Sequence, residues 1–149
     1  MTTEGSGIRV LRCRSGAIEW AIRVEALREI APGSAAARVP GAPAAVLGVV
    51  NVRGSLLVAL DTRVFLGQPA AGGTGPLVVV EVGGRRLALS VDEVDDLETV
   101  AIALLEPAEP PAEMPAGGVI ALVREDRPFL LLDIEALAAP LFGVGSGQP

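Results

Sequence analysis

The acidic run Asp92-Glu93-Val94-Asp95-Asp96-Leu97-Glu98 is the densest set of groups in this chain that could do acid–base or cation chemistry. Read as helix, it puts Asp92, Asp95 and Asp96 on one face and turns Val91, Val94 and Leu97 inward. Three like charges there could hold a cation, or crowding could raise one carboxyl toward proton-transfer duty. The run lacks the glycine and the alternating oxygen ligands of a calcium loop. A solvated acidic face is therefore the preferred reading, and a small acidic enzyme using Asp92, Asp95 and Asp96 is the lower alternative. Other chemistry is removed by composition. The chain has no His and one Cys, and all 12 of its basic residues are Arg. Ser–His and Cys–His nucleophile pairs are excluded, as are the usual zinc sites and lysine-dependent phosphate loops or Schiff bases. No catalytic residue, metal site or cofactor is assigned. Gly143-Val144-Gly145-Ser146-Gly147 opens no helix and fails as a dinucleotide loop.

Three further groups need a setting. Cys13 alternates with Arg12 and Arg14, so it should point inward as a buried thiol, while the two arginines share a solvated strand face. Asp61 and Asp133 each follow an apolar run and precede helix-compatible residues, where a carboxylate caps the first turn. Arg53 sits at the tip of the apolar stretch "GVVNVRGSLLVALD", and a cation there needs a carboxylate partner.

The elements that must position these groups are strands. Apolar runs come in pairs around Ser15-Gly16, Arg53-Gly54, Gly83-Gly84 and Arg124-Glu125-Asp126, which is the hairpin signature. The pairs repeat: 67 residues separate Gly16 from Gly83, and 72 separate Asp61 from Asp133. The order is hairpin, linker, hairpin, Asp-capped short helix, then the same again. The expected fold is mostly β. It is a single domain over residues 1–149, built from subdomains at about 8–67 and 76–142 that share one core, with flexible termini at 1–7 and 143–149. Half the residues are apolar but only 3% are aromatic, so the core is built from Val, Leu, Ile and Ala. A net charge of −6 argues against nucleic acid. The first residues carry no signal-peptide pattern, and no run reaches the ~18 apolar residues of a membrane span. The expected location is cytoplasmic, with no membrane insertion.

Residues Gly48–Gly67 resemble the CheW-like domain, the chemotaxis coupling family, whose pattern reads Gly-Val-Ile-Asn-Leu-Arg-Gly, a buried strand, then Asp-Leu-Arg. Gly48, Asn51, Arg53, Gly54, Asp61 and Arg63 fall on it. Val39-Pro40-Gly41-Ala42-Pro43, Glu29-Ile30, Val91-Asp92-Glu93-Val94 and Leu132-Asp133 extend the likeness over nearly the whole chain. The resemblance implies two five-stranded, SH3-like barrels and a non-enzymatic adaptor. Its partners would be the cytoplasmic tip of a chemoreceptor and the regulatory domain of a CheA-type histidine kinase. It also implies that Glu29 is the partner of Arg53, in a partly buried pair, either as a structural ion pair that pins the hairpin to the first short helix or as part of a receptor-binding groove lined by Leu27, Glu29, Gly48 and Arg53. Departures from the pattern are Val58 in place of Pro, Thr62 in place of Leu, Cys13 in place of an aromatic, and an Ala-rich stretch at Ala31–Arg38. They bear on partner choice, including an adaptor that binds receptors but pairs weakly with the kinase, and not on the fold.

Overall fold

A computed structural model describes residues 7–70, 75–109 and 118–142; the expectations for 1–6, for the tail 143–149 and for part of the Gly/Pro-rich join at 67–76 lie outside these residues. The strands run in hairpins as the Gly-containing turns require. In chain order they are β1 (Gly7–Ser15), β2 (Ile18–Arg23), β3 (Leu27–Ala31), β4 (Val46–Val52), β5 (Ser55–Asp61), β6 (Leu77–Val82), β7 (Arg85–Ser90), β8 (Glu93–Ala101), β9 (Leu105–Glu106), β10 (Val119–Val123) and β11 (Phe129–Leu132). Short helices α1 (Thr62–Phe65) and α2 (Ile134–Ala138) follow β5 and β11.

The strands form two sheets, β8-β1-β2-β11-β10-β9 and β3-β6-β7-β5-β4. All neighbours are antiparallel except β2 with β11 and β5 with β7. This strand order departs from a division into subdomains at 8–67 and 76–142. The repeat itself is present: β1–β2 matches β6–β7, and β4–β5 matches β10–β11, in equivalent registers. Each half, however, places its first hairpin in the sheet that holds the other half's second hairpin. A strand pattern fixes local register but not which distant edge a hairpin joins.

Each sheet curls until its edges meet. In the first, β8 continues through a 3-10 turn at Ile102–Leu104 into β9, which pairs with β10 at the opposite edge. In the second, the chain beyond β3 reaches β4, where Ala37 and Val49 exchange two N–H···O bonds of 2.8 and 2.9 Å. Side chains therefore alternate between two cores. Along β6, Val78 and Val80 enter a core shared by both sheets, while Leu77 and Val79 enter one private to the second. In β2, Trp20 and Ile22 face the shared core and Ala21 faces the private core of the first sheet. Burial on both faces explains why strands such as "LVVV" read as unbroken apolar runs.

The polar seam between the sheets is ordered. Trp20 Nε1 donates to Ser15 Oγ (3.0 Å), Ser15 Oγ lies 2.6 Å from Thr62 Oγ1, and Thr62 Oγ1 donates to the Ser90 carbonyl (2.8 Å). This gives the departure at Thr62 a structural reason: the residue is buried and links α1 to both sheets. Asp61 accepts from Arg63 N at 3.0 Å and Asp133 from Ala136 N at 3.2 Å, both from N-cap positions.

Candidate functional site

The β4–β5 tip is built by two residues in the left-handed region, Arg53 (φ 52°) and Gly54 (φ 88°), which suits the twist of a tight hairpin. Asn51 Oδ1 accepts from Gly54 N at 2.8 Å and holds the turn closed. Arg53 Nε lies 2.6 Å from Glu29 Oε1. The pair exists, but the expectation of a buried guanidinium fails, because the Arg53 side chain is 76% exposed. The tip projects beyond the sheet, so water reaches the cation from most sides.

The four residues expected to line one groove do not assemble as one surface. A bulge between Leu27 and Glu29 pairs them with Val80 and Val79 respectively, which point to opposite faces of the sheet. Leu27 packs on the shared core, and only Glu29 turns toward Arg53. Gly48 is buried; a Cβ there would sit 2.2 Å from the Ala37 carbonyl oxygen. It is a point of close backbone approach, not a groove wall. Around this sheet Ile30, Val39 and Leu56 are exposed, Leu56 to 71%.

The acidic run is strand, not helix: residues Glu93–Ala101 form β8, paired to β1 across a bulge. Asp92 precedes it and acts as a clasp. Arg63 donates to both its oxygens (Nε–Oδ1 3.1 Å, Nη2–Oδ2 2.7 Å) and Gly16 N donates at 2.8 Å. The Arg63 guanidinium, foremost, holds the Asp92 carboxyl below its ordinary value. That is opposite to the raised pKa an acid–base catalyst needs. Cys13 is buried as expected, and burial, aided by Asp95, pushes its thiol up to about 12. It is not a nucleophile at neutral pH.

Sequence reasoning missed Arg12. Instead of sharing a solvated face, its side chain is only 7% exposed. Its Nε donates to Glu98 (3.0 Å), Nη1 to Glu19 and to the Arg127 carbonyl (both 3.2 Å), and Nη2 to Glu125 (2.7 Å) and Glu98 (3.3 Å). The guanidinium carbon sits 3.9 Å from the centroid of the Phe129 ring. Burial opposes the charge, but the three carboxylates outweigh it and raise the Arg12 pKa. A signal was available: the repeat equates Arg12 with Val79, an interior position. Beside this cluster runs a groove of about 880 Å³ whose walls include Asp95, Asp96, Glu125 and Asp126. A second groove, of about 260 Å³, lies between the sheets beside α2. Among the described residues no group of three or more His, Cys, Asp or Glu is placed to hold a metal ion, and no helix is long and apolar enough to cross a membrane.

Two curled sheets around a shared core, with exposed ion pairs and apolar residues at their ends, define a binding module. Residues 9–141 match the CheW-like domain model. The chain is 34% identical over 137 residues, 88% of its length and 87% of the relative's, to the chemotaxis protein CheW of Rhizobium meliloti. It is 32% identical over 130 residues, 83% of each chain, to a probable chemotaxis protein CheW of Rhizobium etli. Its fold is similar to that of the scaffolding protein TtCheW from Thermoanaerobacter tengcongensis. The TM-score is 0.74 at 17% identity, covering 85% of this chain and 88% of that one. The chain belongs to the CheW-like family, which makes it a coupling scaffold of chemosensory signalling and not an enzyme.

Proposed function

We propose that this protein works in the cytoplasm as a single adaptor domain that couples a chemoreceptor's helical tip to the regulatory domain of a CheA-type histidine kinase. The observation that carries the receptor half is the exposed Glu29–Arg53 pair on a sheet that also exposes Ile30 and Leu56. A helical hairpin binds through apolar anchors ringed by charge. In this reading Arg53 and Glu29 touch the receptor directly. Leu27 and Gly48 act from beneath, one packing the sheet on the shared core, the other seating Ala37 and Arg38.

The kinase half concerns the barrel ends. Buried apolar anchors supply affinity, while rim charges tune rate and partner choice. The turns here are Gly83-Gly84, small, at one end of the second sheet, and Arg124-Glu125-Asp126, charged, lining the larger groove of the first. Kinase binding is therefore weaker and more selective than a typical coupling protein shows, and the second reading is an adaptor that binds receptors but pairs weakly or not at all with the kinase. Calorimetry with a receptor cytoplasmic fragment and a kinase regulatory domain from the same genome tests both. Firm receptor binding with weaker kinase binding is expected. Tight kinase binding with no detectable receptor binding would overturn this assignment of surfaces.

A further inference from the structure

The internal repeat provides a template for reading the smaller groove. In the first half, α1 directs Arg63 onto Asp92, Asp92 also accepts from Gly16 N, and the chain beyond α1 folds over the site. Gln68 Oε1 accepts from Ala17 N at 2.9 Å and would lie 2.6 Å from a Cβ on Gly16; Arg63 Nη1 donates to the Pro69 carbonyl at 2.9 Å. The repeat maps Arg63 onto Glu135, Asp92 onto Glu25, Gly16 onto Gly83, and the buried hydroxyl pair Ser15 and Thr62 onto Val82 and Ile134. These counterparts line the 260 Å³ groove between the sheets.

Among the described residues the second copy thus has no counterpart of that cation or of that cover. Glu135 stands where the arginine was, facing a groove with Glu25 across it. A Cβ on Gly83 meets nothing within 4 Å among the described residues. The floor is apolar, and Ile120 at its edge is 40% exposed. The other carboxylates here are engaged: Glu81 pairs with Arg28, and Asp133 caps α2. Glu25 and Glu135 form no ion pair within 4.0 Å among the described residues, nor does Arg23 on the rim, so the two acids face solvent beside an apolar floor.

We propose that this groove is a docking site for an amphipathic helical segment of a partner protein, which places an arginine between Glu25 and Glu135 and an apolar side chain on Val82, Ile120 and Ile134. A guanidinium suits the role because its planar fork can serve two carboxylates at once, as Arg63 serves both oxygens of Asp92. The site is separate from Glu29 and Arg53, so it does not depend on the receptor surface assigned above.

The test uses the full isotope-labelled chain and an amidated helical peptide of Leu and Ala with one central Arg, against the same peptide with Gln. The Arg peptide is expected to shift the amide signals of Glu25, Gly83, Ile120 and Glu135, and to bind about tenfold more tightly than the Gln peptide, the ratio that one well-made charged hydrogen-bond set provides. Glu25→Gln with Glu135→Gln, both at exposed positions, should erase that ratio. Glu25→Arg with Glu135→Arg should reverse it toward a Glu peptide. Equal affinity for the Arg and Gln peptides would overturn the proposal. So would an Arg preference that survives the double Gln variant, or shifts centred on Asp95, Asp96 and Asp126.

Discussion

The interiors of the two curled sheets occupy equivalent places in the repeat, yet they are made differently. That of the second sheet is wholly aliphatic, with Val79 against Ala88, Leu57 and Val50. That of the first has Phe129 where Leu57 stands and Arg12 where Val79 stands, so its end is closed by an ion cluster. The hairpin tips differ in the complementary sense. Arg53 at one tip reaches out to Glu29, whereas its counterpart Glu125 reaches in to Arg12. One barrel end thus keeps its cation outside, where a partner can meet it. The other has drawn one cation inside, and along its rim Asp95, Asp96 and Asp126 alternate with the exposed Arg124 and Arg127. A duplicated scaffold can diverge in this way without change of fold, because what must be conserved at each interior position is satisfied volume, not polarity. The condition is that every donor of a buried guanidinium finds an acceptor, and all five Arg12 N–H groups do.

The sharpest way to break this comparison is to make the first interior resemble the second. Arg12→Met keeps the stem's volume but leaves Glu98 and Glu125 without their cation, while Glu19 keeps Arg127. Removing one partner of a buried ion cluster costs about 3–5 kcal/mol, and the low end applies because these carboxylates are 25–32% exposed. Urea denaturation should show it, with Glu98→Gln and Glu125→Gln restoring part of the loss. Val79→Ala, a plain cavity at the matching position, should cost about 1.5–3 kcal/mol. If Arg12→Met is no worse than Val79→Ala, the cluster is incidental to stability.

Next in size is the seam. Thr62→Val removes a hydroxyl that meets Ser15 and donates to Ser90, at about 1–3 kcal/mol by thermal unfolding. Adding Ser15→Val makes the site resemble Val82 and Ile134 of the second copy. It should recover only part of the loss, since Trp20 Nε1 still loses its acceptor. Full recovery would mean that the chain of hydroxyls contributes nothing the apolar copy lacks.

These contrasts also show what was legible beforehand. Hairpins, caps and the repeat were readable because they are set by local rules: alternation, Gly in turns, and a carboxylate before a helix. The exchange of first hairpins was not, because the parallel pairings of β2 with β11 and β5 with β7 join segments far apart in sequence. Arg12 was hidden for the same reason, two of its three carboxylate partners being 86 and 113 residues away. The acidic run misled for another. Val91, Val94 and Leu97 at helical spacing suggested a helix face, but an open edge of β1 recruited the segment as a strand, and the bulge absorbed the mismatch. For Gly48 the residue type was informative and its purpose was not, since only the fold brings Ala37 against it.

A smaller effect separates the clasp from its open counterpart by pH. The Asp92 carboxyl is held below its ordinary 3.8 by Arg63 first and by the Gly16 N–H as well, against an opposing effect of burial. A depressed folded value means the clasp's contribution is complete above about pH 4 and is lost as pH falls through the folded pKa. Asp92→Asn should therefore lower stability at neutral pH and flatten the acid limb of the urea midpoint against pH. An acid limb as steep as wild type would show that other carboxylates set it.

The smallest effect on stability is expected at Arg53, and it is the most informative about function. The guanidinium is exposed, and Glu29, at 27% side-chain exposure, can be hydrated when its partner leaves. An exposed pair of this kind adds little to folding, so Arg53→Ala should melt at the wild-type temperature. Ala and Arg face the same steric strain at a left-handed position, which makes this substitution a test of charge and not of turn shape. Arg53→Gly tests the turn, because Gly adopts φ 52° without penalty. If the tip serves a partner, both variants should fold normally and both should weaken receptor binding in calorimetry, Arg53→Ala through the lost cation alone. A lower melting temperature for Arg53→Ala with receptor binding intact would reverse the assignment. The Glu29–Arg53 pair would then be a structural pin, and the two barrel ends would differ only in where they store their charge.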